Sequence, residues 1–228
     1  MTNKKKIIEQ AFISSIPIFA GYLALGTGFG MIYISKGFNF LGGLLMSIFI
    51  YGGSMQYVAI DLFVNHVSLS TVAITTLLVN ARHLFYGISL IDKYKNAGLK
   101  KPYMIFALTD ETYSLVVAEN KIAKEDRHLY YFFLSLFNHI YWILGSFVGM
   151  MIGTFIKFDT KGMDFALTAL FVTIVTDQLK NKKSYLPSFI GFATSLACLL
   201  IFGRDHFLIP TMLIIAVILL IFRERLEK

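Results

Sequence analysis

VSLSTVAITTLLVNARHLFYGISL, residues Val67–Leu90, is long enough to cross a bilayer yet carries an arginine and a histidine, Arg82 and His83, inside the run. A helix needs about 20 predominantly apolar residues to span the hydrocarbon, whereas an outer-membrane strand needs roughly ten in alternation. The stretch has the helical length and lacks the alternation, so it reads as a membrane helix. A charge at bilayer depth costs about 2.5–3.5 kcal/mol even on insertion scales, so Arg82 must face protein or water and hold a partner. At helical spacing Thr76, Asn80, His83 and Gly87 share one face, and Arg82 and Tyr86 sit one turn apart on the next. Two readings stand. Arg82 meets a substrate carboxylate or a buried acid, or it snorkels to the interface near Asp92.

The rest of the chain has the same character. Of its 228 residues, 56% are hydrophobic and 15% charged, against roughly 45–50% and roughly 25% in a soluble domain. That balance argues against an ordinary soluble enzyme, whose surface needs more charge. Seven further apolar segments fall at 12–34, 40–64, 103–119, 129–153, 164–179, 186–202 and 207–222. The expected fold is therefore all-α: one polytopic integral membrane domain over residues 1–228, with about eight hydrophobic helical segments, seven or eight of them spanning. The segment 103–119 is short, opens after Pro102 and carries Asp110 and Glu111 near its middle, which leaves a re-entrant course open. With eight spans and a cytoplasmic N-terminus, Lys and Arg divide about 12 inside to about 8 outside, a weak positive-inside contrast to which the Lys93-to-Lys101 loop is the exception.

The formal charge of +7 comes from Lys and Arg scattered among short polar breaks, which suits membrane-edge anchoring and not nucleic acid. Cys198, the single cysteine, can form no internal disulfide and belongs to no metal-ligand cluster. The start through Lys4-Lys5-Lys6 resembles a signal n-region, but the following stretch has no convincing cleavage site and is expected to be retained. Lys36-Gly37-Phe38-Asn39-Phe40 echoes Lys161-Gly162-Met163-Asp164-Phe165, which raises, without deciding, a two-fold internal repeat of the kind that places a transporter's site between two halves.

Polar residues interrupt the other segments too. Asp110 and Glu111 are splayed by about 100° on a helix, with Tyr113 three residues after Asp110. Two acids rarely both stay ionised in lipid, so one of them carries a proton for part of a cycle, or they are solvated or paired with Arg82. Gly52-Gly53-Ser54-Met55-Gln56-Tyr57 permits either an unwound helix, whose backbone can bind amino and carboxyl groups, or close packing with Gln56 as an interhelical bond. Gly21, Gly26, Gly28 and Gly30 pose the same choice, with packing the simpler account and Pro17 adding a kink site. In 129–153, Tyr131, Ser135, Asn138, His139 and Trp142 form one stripe, with Asn138 and His139 as candidate contacts; a fixed interhelical bond is the plainer role for His139. Asp164 and Asp177 fit helix caps. There is no zinc, phosphate-loop or nucleophile-turn motif, and no cofactor or metal is expected. An intramembrane hydrolase using Ser54 and His83 lacks a visible oxyanion device.

Several of these motifs resemble those of the AzlC/YgaZ-type bacterial branched-chain amino acid permeases: Gly26-Thr27-Gly28-Phe29-Gly30, Gly53-Ser54-Met55-Gln56-Tyr57, Asn80-Ala81-Arg82-His83, Leu108-Thr109-Asp110-Glu111-Thr112-Tyr113, Trp142 and Gly162-Met163-Asp164-Phe165-Ala166. Met55 and Tyr57 stand where that family usually has Ala and Phe. The resemblance implies a multi-pass protein of the bacterial cytoplasmic membrane, the large subunit of an exporter for Leu, Ile, Val and sometimes Met. It also implies a small AzlD-like membrane partner and a proton-motive-force drive. On the physical reading of the polar residues, and not from the family, Ser54, Gln56, Asn80, Arg82, His83, Tyr113 and Asn138 are the expected substrate contacts, and Asp110, Glu111 and His139 the expected proton-coupling groups. Arg82 would take the carboxylate, Asp110 or Glu111 the amino group or the proton, and nearby Phe and Met the aliphatic side chain. The rivals are a carrier or channel for another solute and a membrane scaffold.

Overall fold

Helix is the only regular secondary structure among the described residues of the computed structural model, which are 2–118, 122–156, 172, 176 and 185–221. Among the described residues two helices are long and apolar enough to cross a membrane unaided, α1 (Thr2–Ser35) and α8 (Arg127–Phe155). Between them lie α2 (Phe40–Phe49), α3 (Gly53–Val64), α4 (Leu69–Asn80) and α5 (Arg82–Leu90), then a 3₁₀ turn at Gly98–Lys100, α6 (Lys101–Phe106) and α7 (Asp110–Ala118). After α8 come α9 (Tyr185–His206) and α10 (Leu208–Ile221). The apolar segments 12–34, 129–153 and 186–202 are thus each one helix, and 207–222 is one helix over Leu208–Ile221. Three others, 40–64, 67–90 and 103–119, are each divided near the middle. The expected helical membrane architecture is thus present among the described residues, with several of the apolar segments broken into two helices. Apart from Val172 and Thr176, the segment 164–179 lies outside the described residues, as do Asp164, Asp177 and the second copy of the suggested repeat.

Each division has a local cause. The chain leaves α2 through Tyr51 (φ 46°) and enters α3 through Gly53 (φ 30°), a left-handed stretch that a glycine makes cheap and that no helix can continue through. At Ala81 the backbone stays helical (φ −54°, ψ −32°), but the next turn tightens, with the Leu84 N–H donating to the Ala81 carbonyl at 3.1 Å. Between α6 and α7 the break covers Ala107–Thr109, and the Thr109 hydroxyl caps α7 by accepting the Thr112 N–H at 3.3 Å. At the far end of α7, Lys93 Nζ donates to the carbonyls of Val116 (2.5 Å) and Val117 (3.2 Å). That places a cation on the negative helix terminus and gives the anomalous Lys93 a structural task.

The chain forms two compact units, Met1–Val67 with Val79–Lys161, and Ser68–Leu78 with Gly162–Lys228. The first unit is built on the α1–α8 pair. Gly26 and Gly30 of α1 face Gly145 and Gly149 of α8, Gly153 faces Met31 and Ile34, and a Cβ at Gly30 would strike the backbone of Ser146 and Met150, one at Gly149 the backbone of Thr27. This is the close small-residue packing that membrane helices use in place of hydrophobic driving force. Gly28 faces the Tyr57 hydroxyl, whereas nothing lies within 4 Å of a Cβ at Gly21. α1 runs unbroken through Pro17. Ser15 and Tyr141 hydroxyls meet at 3.0 Å along the same seam. At one end of the unit Met104, Leu108, Val116, Tyr131 and Leu134 close a buried cluster with Ile7 and Ala11. In the second unit α9 and α10 pack on each other, α9 bends at Gly203 (φ 72°), and Cys198 is a buried free thiol.

Candidate functional site

Ser54, Arg82 and Asp110 each stand in the first two residues of a helix that begins at a break, α3, α5 and α7 respectively. The structure brings the three together. An Arg82 terminal nitrogen forms an ion pair with Asp110 Oδ2, and its other terminal nitrogen donates to Ser54 Oγ at 3.2 Å. The electrostatics favour this arrangement. Asp110 and Glu111 lie at the positive end of α7, where carboxylates are stabilised, while Arg82 lies at the positive end of α5 and needs the counter-ion. Two hydrogen-bonding positions of the pair are buried and unfilled, Arg82 Nε and Asp110 Oδ1. The pair therefore keeps one donor and one acceptor free.

Glu111 turns to a different partner. The Tyr22 hydroxyl of α1 donates to its Oε2 at 2.6 Å and lies 2.8 Å from Thr109 Oγ1. Thr109 donates to Thr112 Oγ1 at 3.1 Å, and Asn138 Nδ2 of α8 donates to the same Thr112 oxygen at 2.9 Å. A string of neutral groups thus fastens the start of α7 to the α1–α8 pair. Tyr113 stacks on Tyr86 with centroids 4.4 Å apart, joining α7 to α5. Asn138 is fully buried, with Oδ1 unpartnered.

Gln56 and His139 are held more tightly. Gln56 is fully buried, its Nε2 donating to Ser47 Oγ at 3.2 Å and its Oε1 accepting from Trp142 Nε1 at 2.8 Å. His139 lies between the Tyr103 hydroxyl (Nδ1, 3.0 Å) and the Ser47 carbonyl (Nε2, 3.3 Å), an arrangement that places the ring proton on Nε2. The polar stripe of α8 therefore reaches four separate elements, α7 through Asn138, α6 and α2 through His139, and α3 through Trp142. Gln56 and His139 belong to this packing layer, one step behind the Ser54–Arg82–Asp110 network.

A cavity of about 480 Å³ adjoins the breaks and is lined at all three: by Ile50, Tyr51 and Gly52, by Asn80 and His83, and by Leu108. Such a volume is ordinary for a small-molecule site, about 300–1,000 Å³. Asn80, His83 and Gly87 line it from one face, as helical spacing placed them, with His83 Nδ1 3.1 Å from the Asn80 carbonyl. The remaining wall is chiefly aliphatic and aromatic, including Leu84, Leu90, Ile91, Ile105 and Phe106, with Tyr94 and Lys101 as polar additions and no methionine. The sequence marks Thr109 only as part of the Leu108–Tyr113 motif and does not mark Tyr22, Tyr51, Tyr94 or Lys101 as site residues. A tyrosine within an apolar run does not register as polar, and Lys101 belonged to a loop read only for its charge. Among the described residues no cluster of three His, Cys, Asp or Glu could hold a metal ion.

The "AzlC protein" family profile matches residues 17–156, which include α1 from Pro17 onward, all of α2 through α8, and Tyr22, Ser54, Arg82, Asp110, Glu111 and the cavity-lining residues. The Bacillus subtilis protein named "Branched-chain amino acid transport protein AzlC" is 41% identical over 99% of this chain and 91% of its own length. An "Uncharacterized membrane protein" of Helicobacter pylori is 40% identical over 97% of both chains. "Inner membrane protein YgaZ" of Escherichia coli is 25% identical over 75% of this chain and 72% of its own. No solved structure matches the chain. With a profile covering its site and a near-full-length relative at this identity, the chain is a helical membrane protein that belongs to the AzlC family.

Proposed function

We propose that the protein is a secondary transporter that exports branched-chain amino acids, Leu, Ile, Val and also Met, across the bacterial cytoplasmic membrane, driven by the proton motive force and acting with a small AzlD-like membrane subunit. The observation that carries this reading is a cavity lined at three helix breaks, together with the Arg82–Asp110 ion pair, whose residues follow two of those breaks without themselves lining the cavity and whose Nε and Oδ1 are buried without a partner. Broken helices that present charged and polar groups to a cavity are how secondary carriers hold small zwitterions. A free amino acid supplies a carboxylate for Arg82 and an ammonium for Asp110, and Ser54, Asn80 and His83 supply neutral hydrogen bonds around it. The aliphatic wall, with Leu84, Ile91, Ile105 and Phe106, suits a branched side chain. The name carried by the Bacillus subtilis relative supports the same substrate class. Gln56, Tyr113, Asn138 and His139 act here as groups that position the breaks. Seven or eight passes complete the proposal, with 40–64 crossing as two half-helices and 103–119 either crossing in the same way or re-entrant.

The test is efflux of labelled leucine from proteoliposomes holding this chain with and without its small partner, with and without an imposed proton gradient. Saturable, gradient-sensitive flux that requires the partner is the expected result. Absence of flux from well-folded samples of the pair refutes leucine as substrate and turns the search to other solutes or to a scaffold.

A further inference from the structure

We infer that Glu111, and not Asp110, is the group that carries the coupling proton, with Tyr22 as the positioning residue that links its protonation state to the α1–α8 pair. The inference rests on the proposed proton-driven transport and adds to it the assignment of the titrating atom. Asp110 is paired with Arg82, so its charge is already compensated. Among the described residues no salt bridge reaches Glu111, whose carboxylate accepts from a neutral phenol at 2.6 Å. The charged and titratable groups around it are Tyr22 of α1, Tyr51 in the break before α3, Arg82, His83 and Tyr86 of the α5 region, and Asp110 of α7 itself. With Arg82 and Asp110 cancelling, the cluster holds one surplus negative charge whenever Glu111 is ionised. Glu111 is half-buried, and the addition of one proton to its carboxylate removes that uncompensated charge.

The geometry also says what the proton would move. Tyr22 belongs to the glycine-packed α1–α8 pair, and it holds α7 through both Glu111 and Thr109. As a carboxylate Glu111 can only accept from Tyr22. As an acid it gains a donor and must share that hydroxyl differently. A proton taken from the aqueous side of higher acidity onto Glu111, and released to water on the other side, therefore rewrites the contact by which a short half-helix is docked on the rigid pair. Asp110 stays available as the counter-ion for Arg82 or for a substrate ammonium.

A native reporter exists. Trp142 is the single tryptophan, and its ring meets that of Tyr22 edge-on with centroids 5.5 Å apart. The experiment is a pH titration of tryptophan fluorescence on the full chain reconstituted with its partner, alongside leucine flux with and without a proton gradient in the same vesicles. The wild type is expected to show a pH-dependent step; Glu111→Gln is expected to lose both the step and the gradient-driven part of the flux. Glu111→Asp is expected to keep a step. Continued exchange of labelled for unlabelled leucine by Glu111→Gln would show that the chain has folded and that coupling alone is lost. A flat wild-type titration, or a step that survives in Glu111→Gln, overturns the inference. So does gradient-driven flux that persists in that variant. A wild type with a Glu111-dependent step but no leucine flux leaves the proton site standing and refutes the substrate assignment instead.

Discussion

Replacing Asp110 by asparagine leaves Arg82 charged at the start of α5 with only Ser54 to bond, and replacing Arg82 by glutamine leaves the Asp110 carboxylate equally alone. Breaking a buried ion pair from one side costs about 3–5 kcal/mol, because the remaining charge has lost its compensation. The two side chains are 31% and 33% exposed, so solvent screens part of that, and each single substitution is expected to cost about 2.5 kcal/mol. The double variant isolates no charge. It forfeits the hydrogen bonds of the network and is expected to cost about 2 kcal/mol, some 3 kcal/mol less than the sum of the singles. The assay is reversible unfolding in mixed micelles followed by Trp142 fluorescence, closed as a double-mutant cycle. Single costs within about 0.5 kcal/mol of wild type, or strictly additive costs, would falsify the claim that the pair is energetically coupled. Flux supplies the second half of the test. If both charges grip the zwitterion, the double variant, no less stable than either single variant, still lacks leucine transport; transport by the double variant refutes their role as substrate contacts.

Four further outcomes follow from the geometry. Gly149→Ala drives a Cβ into the Thr27 backbone and is expected to cost about 1–3 kcal/mol of micelle stability, whereas Gly21→Ala, with nothing within 4 Å, stays within about 0.5 kcal/mol. Trp142→Phe removes the donor to the buried Gln56 carbonyl and is expected to cost about 1–3 kcal/mol, visible as a lower midpoint by circular dichroism. Gly87 lines the cavity and has open space beyond its Cα, so Gly87→Phe is expected to fold normally and to raise the half-saturating leucine concentration; unchanged saturation would place the substrate elsewhere. Leu99 is fully exposed in the loop that strains the positive-inside count, so Leu99→Cys on a Cys198→Ala background should label from outside the cell if all eight segments span, and from inside alone if one pass is partial.

Much of this architecture is legible in the order of residues. α1 and α8 appear as uninterrupted apolar runs, and Gly52-Gly53 announces a break because adjacent glycines destabilise a helix. The interruptions at Ala81 and at Ala107–Thr109 are invisible to propensity, since alanine and leucine are good helix formers; they arise where the chain must deliver a polar residue to its neighbours. The pairing of Arg82 with an acid was one of the readings open from the cost of a lone cation in lipid. Its choice of Asp110 over Glu111 was not, because two consecutive residues differ only by their direction on the helix, and the direction depends on where α7 docks. Similarly, His139 carries the same imidazole whether it shuttles protons or is clasped at both nitrogens, and only Tyr103 and Ser47, far away in sequence, decide between them.

The seam between α1 and α8 joins residues as far apart as Ser15 and Tyr141, 126 positions along the chain. A ribosome adds roughly 5–20 residues per second, so the first helix waits on the order of ten seconds in the bilayer before its mate is made. Throughout that interval its glycine groove is open to lipid and to any other small-residue helix that diffuses past. Biogenesis of this protein is thus a race between synthesis and wrong encounters, and a slow codon stretch ahead of Arg127 would lengthen the hazard without changing a single amino acid.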